Sequence, residues 1–386
     1  MFFSFTAFIT VLFFSSALII LIWLFLKNNR LIKEIGVGSL FFCIAIIMIR
    51  LFIPVEFTFA NNLAFKRVLP KIVFFFEIPI IASSNYNICF HHVIYVIWLI
   101  GAIIQLSRIL QSYKHFKRTI SKLPVVKDVH VQNILQKTLQ NYNESVNFKI
   151  IQTDMISTPM ILGVLKPWIV VPQLEFSQNE WHYILSHEIA HYYHGDLWVK
   201  IIIEFLCIIY WWNPFIYLLK KQVSKVLEIH TDLTITKSMD ELERIEYLEC
   251  LLKIAKYNAN RQLNKLALTF DSESTSMLSQ RFHIVLENSN QKEKFRFKSI
   301  FLTIPILFLV VLSFFFVFEP YFILPNDAYG TVEITNENSY LIQNQDNTYD
   351  LYINDQFFGT VNEIKDSYAN LVIYKNIREV QNYEKN

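Results

Sequence analysis

The chain has 386 residues; 53% are hydrophobic, 16% are aromatic with 35 Phe, and only 18% are charged. Average soluble globular domains carry about 25% charged residues, so this composition is too apolar for an ordinary water-soluble enzyme and places the chain in a lipid bilayer. The net charge of +2 arises from clusters beside apolar runs and gives no reason to expect direct nucleic-acid binding.

Met1 to Leu26 contains no charged residue and is long enough to cross a hydrocarbon core of about 30 Å. With no Lys or Arg before it and no small-residue cleavage site after it, it reads as a retained span rather than a signal peptide. Ile35 to Pro54 is the second expected span, interrupted by Arg50, whose long side chain can snorkel. Ile72 to Ala82, broken by Glu77 and Pro79, reads as a re-entrant or interfacial segment. Val93 to Leu106 is the third span and Ser299 to Phe318 the fourth.

Lys and Arg near span ends stay on the cytoplasmic side, which sets the orientation. Lys27, Arg30 and Lys33 follow the first span; Arg108, Lys114, Lys117, Arg118 and Lys122 follow the third; Lys292, Lys294, Arg296 and Lys298 precede the fourth. These clusters predict an outside N-terminus, a cytoplasmic segment and an outside C-terminal tail. Lys66, Arg67 and Lys71, in a loop assigned outside, are the one dissenting group. Cys43 and Cys207 sit in apolar runs, Cys250 is cytoplasmic and Cys89 is near the outer face, so neither a disulfide framework nor a Cys-based zinc site is expected.

The cytoplasmic segment begins with a helical pattern (Val131, Ile134, Leu135, Leu139) running into the strand-like Phe148 to Gln152. Ser157 to Pro172 holds two short apolar runs around Gly163, bounded by prolines, which predicts a hairpin with an edge strand. Such a strand can hold an extended substrate in a peptidase; a hairpin that merely covers the core is the plainer reading.

Ser177 with Glu180 makes a capping box and Gly195 a stop, giving a helix of about Gln178 to His194. Within it, His187 and His191 lie one turn apart on the same face, so both rings can reach one Zn²⁺ ion, and Glu188 is placed to deprotonate a water bound to it. Beyond it, Leu197 to Leu219 contains Asn213-Pro214, a turn followed by a helix start. Arms of about fourteen residues, each roughly 21 Å, run out and return without spanning.

The return arm ends at Glu228-Ile229-His230-Thr231-Asp232, where Glu228 supplies the third ligand that an open zinc site needs. Asp232, one turn on, is expected to accept the second ring N–H of a zinc histidine, His187 in the first instance. His194 and His230 compete as donors, His194 poorly directed; a metzincin pattern fails because Gly195 falls one position late. Glu204 in the apolar arm is either a functional acid or a paired buried carboxyl. For a second electrophile, Tyr192, Tyr193, Asn213 and His230 stand open.

Together these segments resemble the BlaR/MecR family of membrane zinc peptidases. The matching residues are Thr158-Pro159 to Gly163, Lys166-Pro167 to Pro172, His187-Glu188-x-x-His191 with Asp196, Trp212-Asn213-Pro214, Glu228 with Asp232, and Ser276-Met277-Leu278 to Arg281 and Ile284. The resemblance implies a multi-pass α-helical membrane protein with a cytoplasmic α+β gluzincin-like zinc peptidase domain. It implies that His187, His191 and Glu228 bind zinc and that Glu188 is the general base and later acid. It further implies that an extracellular signal activates cleavage of the chain itself or of a cytoplasmic DNA-binding repressor. Where the family carries a cysteine before the aspartate this chain has Thr231, expected to stand clear of the chemistry.

The family's penicillin-binding sensor domain is not expected here. Only 68 residues follow Phe318 (386 − 318), and they hold no Ser-x-x-Lys motif. Thr331 to Thr335, Ser339 to Gln343, Tyr349 to Ile353, Gln356 to Val361 and Asn370 to Tyr374 instead read as strands of a small antiparallel meander, a site for an external ligand or a passive cap. The expected organisation is three spans with an external loop over 1–107, the peptidase domain over 108–298, a fourth span over 299–318 and a small extracellular β-rich domain over 319–386; a homodimer is compatible with it. The alternatives are a housekeeping membrane protease of the HtpX/CAAX-processing type and a signalling or immunity membrane protein without turnover. A transporter is disfavoured by the lack of repeated helix pairs.

Overall fold

The computed structural model describes residues 5–57, 59–82, 87–142, 146–263, 272–287 and 297–320, then 334, 338–344, 348–354, 356–361, 368 and 371–375. The chain divides into two compact units, Met1–Pro320 and Tyr321–Asn386.

The first unit opens with α1 (Phe5–Leu26), the expected first span. Asn28 accepts the Arg30 N–H and starts α2 (Asn29–Ile35). At Gly36 the chain turns through 87° into α3 (Val37–Phe52). Gly36 has φ 79°, a conformation that only glycine adopts without strain, and it moves the start of the expected second span from Ile35 to Val37. Arg50 does not snorkel. It is buried, donating to the carbonyls of Ile53, Val55 and Ser313, with Phe314 4.6 Å from its guanidinium.

β1 (Asn61–Phe65) and α4 (Val68–Glu77) follow, then β2 (Pro79–Ala82) pairs antiparallel with β3 (Asn87–Cys89). The apolar run expected as one interfacial segment is therefore split between α4 and β2. α5 (Phe90–Ile120) is a 31-residue helix that extends the expected third span well past Leu106 and carries the basic cluster up to Arg118. It exposes Val96, Ile97, Leu99, Ile100 and Ile103, an apolar surface suited to lipid. Among the described residues, α1 and α5 are long and apolar enough to cross a membrane, and α2 with α3 makes a third if the bent pair is one span.

Next come α6 (Val129–Leu139), β4 (Lys149–Thr153), β5 (Met160–Leu162) and β6 (Trp168–Pro172). The sheet order is β4-β6-β5, with β4 parallel and β5 antiparallel to β6, so the predicted hairpin forms and β5 is an edge strand. α7 (Gln178–Tyr193), α8 (Asp196–Ile209), α9 (Pro214–Thr236), α10 (Glu241–Leu263) and α11 (Ser272–Glu287) follow the sheet. α12 (Phe297–Phe315) is the fourth apolar helix, but its last predicted residues are not helical: Phe316–Pro320 is β7, paired parallel with β1.

The α8–α9 hairpin lies along α1. Tyr210 at its tip stacks on Phe8 (ring centroids 6.1 Å apart) and donates to Leu51 O, while Lys225 donates to Leu26 O (2.6 Å). Trp98 and Trp211 each donate an indole N–H across from α5 to the hairpin and back; Gly101 makes room, since a Cβ there would meet the Trp211 ring at 2.2 Å. Glu204 is paired with Lys220 across the two arms (2.5 Å).

Two large apolar cores and a small one at Ile120, Ile151 and Val170 result among the described residues of the first unit. One joins α1, α3, α8 and α9 through residues such as Ile22, Ile47, Leu206 and Leu227. The other joins α6, the sheet, α7 and α10 through Leu135, Ile169, Leu185, Ile189 and Leu248. α7 belongs to the second core and α9 to the first, so the pair meets at the seam between them.

The second unit has β8 (Ser339–Gln343), β9 (Tyr349–Ile353), β10 (Gln356–Val361) and β11 (Val372–Tyr374) in the order β10-β9-β8-β11. Its first three strands form the predicted antiparallel meander, but β11 joins β8 in parallel. Leu341, Leu351, Ile353 and Leu371 form its core. The predicted strand Thr331 to Thr335 lies outside the described residues except for Ile334.

Candidate metal centre

α7 begins as its sequence dictates. Ser177 Oγ accepts the Glu180 N–H (3.2 Å) and the Glu180 carboxylate accepts the Ser177 N–H (2.7 Å), while Lys253 of α10 donates to both oxygens of that carboxylate (2.8 Å each). Burial alone would raise the Glu180 pKa, but the bonds from Lys253 and Ser177 outweigh it and hold the group below its ordinary value. Asn213 caps α9 at Pro214, and the helix carries Glu228 four turns on to face α7.

His187, Glu188 and His191 are 7%, 6% and 3% exposed. His187 Nε2 lies 3.1 Å from His191 Nε2 and 3.3 Å from Glu228 Oε2, and His191 Nε2 lies 3.5 Å from Glu228 Oε1. A tetrahedral ion bonded at roughly 2.0 to 2.1 Å sets neighbouring donors about 3.3 Å apart, so these three donors fit one zinc ion. Two nitrogens and one carboxylate leave a fourth position, which is the donor set of a hydrolytic site.

The outer hydrogen bonds direct both lone pairs inward. Asp196 Oδ2 lies 2.5 Å from His191 Nδ1, so that nitrogen carries the proton and Nε2 is left for the ion. Thr231, expected to stand clear of the chemistry, is 3.2 Å from the same Nδ1. His187 is held differently from expectation. Asp232 is 3.6 Å from His187 Nδ1 and reaches it through Tyr247, whose hydroxyl donates to Asp232 (2.6 Å) and accepts from His187 (2.9 Å). Arg281 closes the network with two bonds to Asp232 (2.6 and 2.7 Å) and Nη1 3.3 Å from Glu228.

These charges shift the ionisable groups. Burial lowers the His191 pKa, but Asp196 and Glu228 outweigh it and carry the ring up to about 10, so an ion bound at Nε2 has to displace a proton there. Burial would raise Glu228, yet Arg281 and the two histidines hold it well below the usual carboxylate range. Burial and the Asp232 charge push the Tyr247 hydroxyl well above its ordinary value, so it acts as a neutral hydrogen-bonding group.

The other polar residues named from the sequence go elsewhere. His194 and His230 stand beside each other (ring centroids 4.8 Å apart), with His230 edge-on to Phe41. Tyr192 donates to Val164 O, Tyr193 stacks on Tyr142, and Asn213 caps α9 at the hairpin tip. Tyr247 was not anticipated. Its signal is a lone hydroxyl in the buried stripe Tyr247, Leu251, Ile254 of α10, because a buried phenol requires a partner.

A family model described as BlaR1 peptidase M56 matches residues 7–285. The regulatory protein BlaR1 of Bacillus licheniformis is 24% identical over 194 residues, covering 50% of this chain and 32% of that protein. The methicillin resistance mecR1 protein of Staphylococcus aureus is 22% identical over 225 residues, covering 55% and 34%. A regulatory protein BlaR1 of Staphylococcus aureus is 24% identical over 221 residues, covering 56% and 37%. The chain thus spans about a third of the length of the curated relatives it matches.

Proposed function

The chain belongs to the BlaR1 peptidase M56 family, and on that premise we propose that it is a membrane-embedded zinc endopeptidase that transduces an extracellular signal by cytoplasmic proteolysis of a transcriptional repressor, of itself, or of both. The observation that carries this reading is the convergence of His187, His191 and Glu228 beside the buried Glu188. Relatives named as regulatory and methicillin resistance proteins favour the signalling role over housekeeping proteolysis. The N-terminus and the C-terminal tail are outside and the peptidase elements cytoplasmic, in keeping with the basic clusters.

In this mechanism His187, His191 and Glu228 would hold zinc, which when bound would supply Lewis-acid stabilisation of the developing oxyanion and lower the cost of deprotonating water. Glu188 takes the proton of the attacking water and delivers it to the leaving amide nitrogen. Asp196 and the Tyr247–Asp232 pair keep both ring protons on Nδ1. β5, an edge strand of its sheet, offers main-chain groups to an extended peptide.

The test compares membrane and cytosolic proteomes of cells expressing the wild type and Glu188→Gln, which should still bind zinc. New termini confined to the wild type, in a DNA-binding repressor or in this chain's own cytoplasmic segment, are the expected result. A signal-activated wild type that changes cell behaviour without producing such termini overturns the reading.

A further inference from the structure

Among the described residues, a second cluster of side chains with metal-donor atoms stands at the start of α5, where no Cys-based site was expected. Cys89, His91 and His92 each offer one donor atom, a thiol sulfur and two ring nitrogens, all within 4.8 Å of one another. We propose that Cys89, His91 and His92 form a second metal site, for a late transition-metal ion of the zinc class, separate from the peptidase centre.

Hydrogen bonds prepare the two rings. His91 Nδ1 lies 3.1 Å from Phe76 O; a carbonyl only accepts, so Nδ1 carries the proton and Nε2 keeps its lone pair. The Cys89 N–H donates to His92 Nδ1 (3.2 Å), which is therefore unprotonated, and Cys89 Sγ accepts the His92 backbone N–H in return. Capping alone accounts for this reciprocal pair. It does not account for His91, whose ring is turned by Phe76 to within 4.0 Å of the His92 ring, centroid to centroid.

On metal binding the ion takes over the His92 lone pair, and water satisfies the Cys89 N–H at the open first turn of the helix. One thiolate and two imidazoles suit zinc or copper and not magnesium or calcium. The site is not part of the peptidase centre. α5 runs 31 residues, about 46 Å, before Ile120 packs against the Ile151 and Val170 strands of the peptidase sheet. An ion here would fasten the β2–β3 hairpin to the head of that helix. The inference does not depend on proteolysis.

The test is titration of the full chain in detergent micelles with Co²⁺, followed by Zn²⁺. The expected result is two bound equivalents, one of them with a thiolate-to-cobalt charge-transfer band, which the sulfur-free peptidase centre cannot give. Cys89→Ser should remove the band and one equivalent while the other equivalent remains as proof of folding. His91→Ala, which leaves the cap intact, should weaken the band-forming site about tenfold or more. Cys250→Ser should change nothing. Absence of the band in the wild type, its persistence in Cys89→Ser, or unchanged affinity in His91→Ala overturns the proposal.

Discussion

Gln280 and Arg281 are neighbours in α11 that bind opposite parts of the structure. Gln280 Nε2 donates to Leu26 O (3.1 Å), the last carbonyl of α1, whereas Arg281 holds Asp232 and approaches Glu228. Lys33 and Glu287 add an ion pair between α2 and α11. One backbone step therefore separates the end of the first apolar helix from the carboxylates of the metal centre.

If that step carries the signal, Gln280→Ala should leave zinc affinity near wild type and lower stability by about 2 kcal/mol, since it removes two neutral hydrogen bonds, to Leu26 O and to Asn29 Oδ1, of about 1 kcal/mol each. The ratio of signal-induced to basal cleavage should fall towards one. Quantifying the new termini with and without inducing signal checks this, and an unchanged ratio removes Gln280 from the coupling.

Arg281→Met should be severe. It leaves Asp232, 1% exposed, without its counter-charge and takes one cation from Glu228, a change that costs on the order of 3–5 kcal/mol. Arg281→Lys should recover only part, because an ammonium cannot reproduce the two-pronged contact with Asp232. Thermal melting and zinc content measured on the same samples separate loss of fold from loss of metal.

Tyr247→Phe cuts the link between Asp232 and His187 while keeping the ring in the core. Zinc affinity is expected to fall about 10- to 100-fold with the fold intact, read by competition with a chelator. Unchanged affinity would show that Asp232 orients His187 across 3.6 Å without the phenol.

Glu180 gives a pH dependence. Its folded pKa lies below the reference value of 4.5, so its contribution to stability is present above that value and disappears as pH falls through the folded one. The melting temperature of the wild type should therefore exceed that of Glu180→Gln by a constant margin from neutral pH to about pH 6, and the margin should shrink under stronger acid. A margin that grew on acidification would mean the carboxylate is not stabilised by Lys253.

Local chemistry made part of this legible. The Ser177–Glu180 box, the His187/His191 spacing and the Asn213-Pro214 turn are written within a few residues of one another, and each folds as its own neighbours dictate. The tail strands from Ser339 on followed from alternation and turn residues in the same way, except that pairing β11 in parallel with β8 depends on where the chain returns. Tyr247, Arg281 and the buried pose of Arg50 depend on partners 60, 49 and 263 positions away, and no local pattern encodes such meetings. Gly36 belongs with these: a glycine between apolar runs does not say that the chain will turn there.

The hairpin beside α1 also limits how the enzyme can be taken apart. A fragment cut after α5 would keep every side chain of the metal centre, yet Ile216, Leu219, Val223 and Val226 of α9 are buried in the core shared with α1 and α3. Excision would turn that face towards water, and the rod that positions Glu228 would lose the wall it rests on. The candidate metal centre thus rests on packing against α1 and α3, and a fragment without those helices should lose the support that positions Glu228.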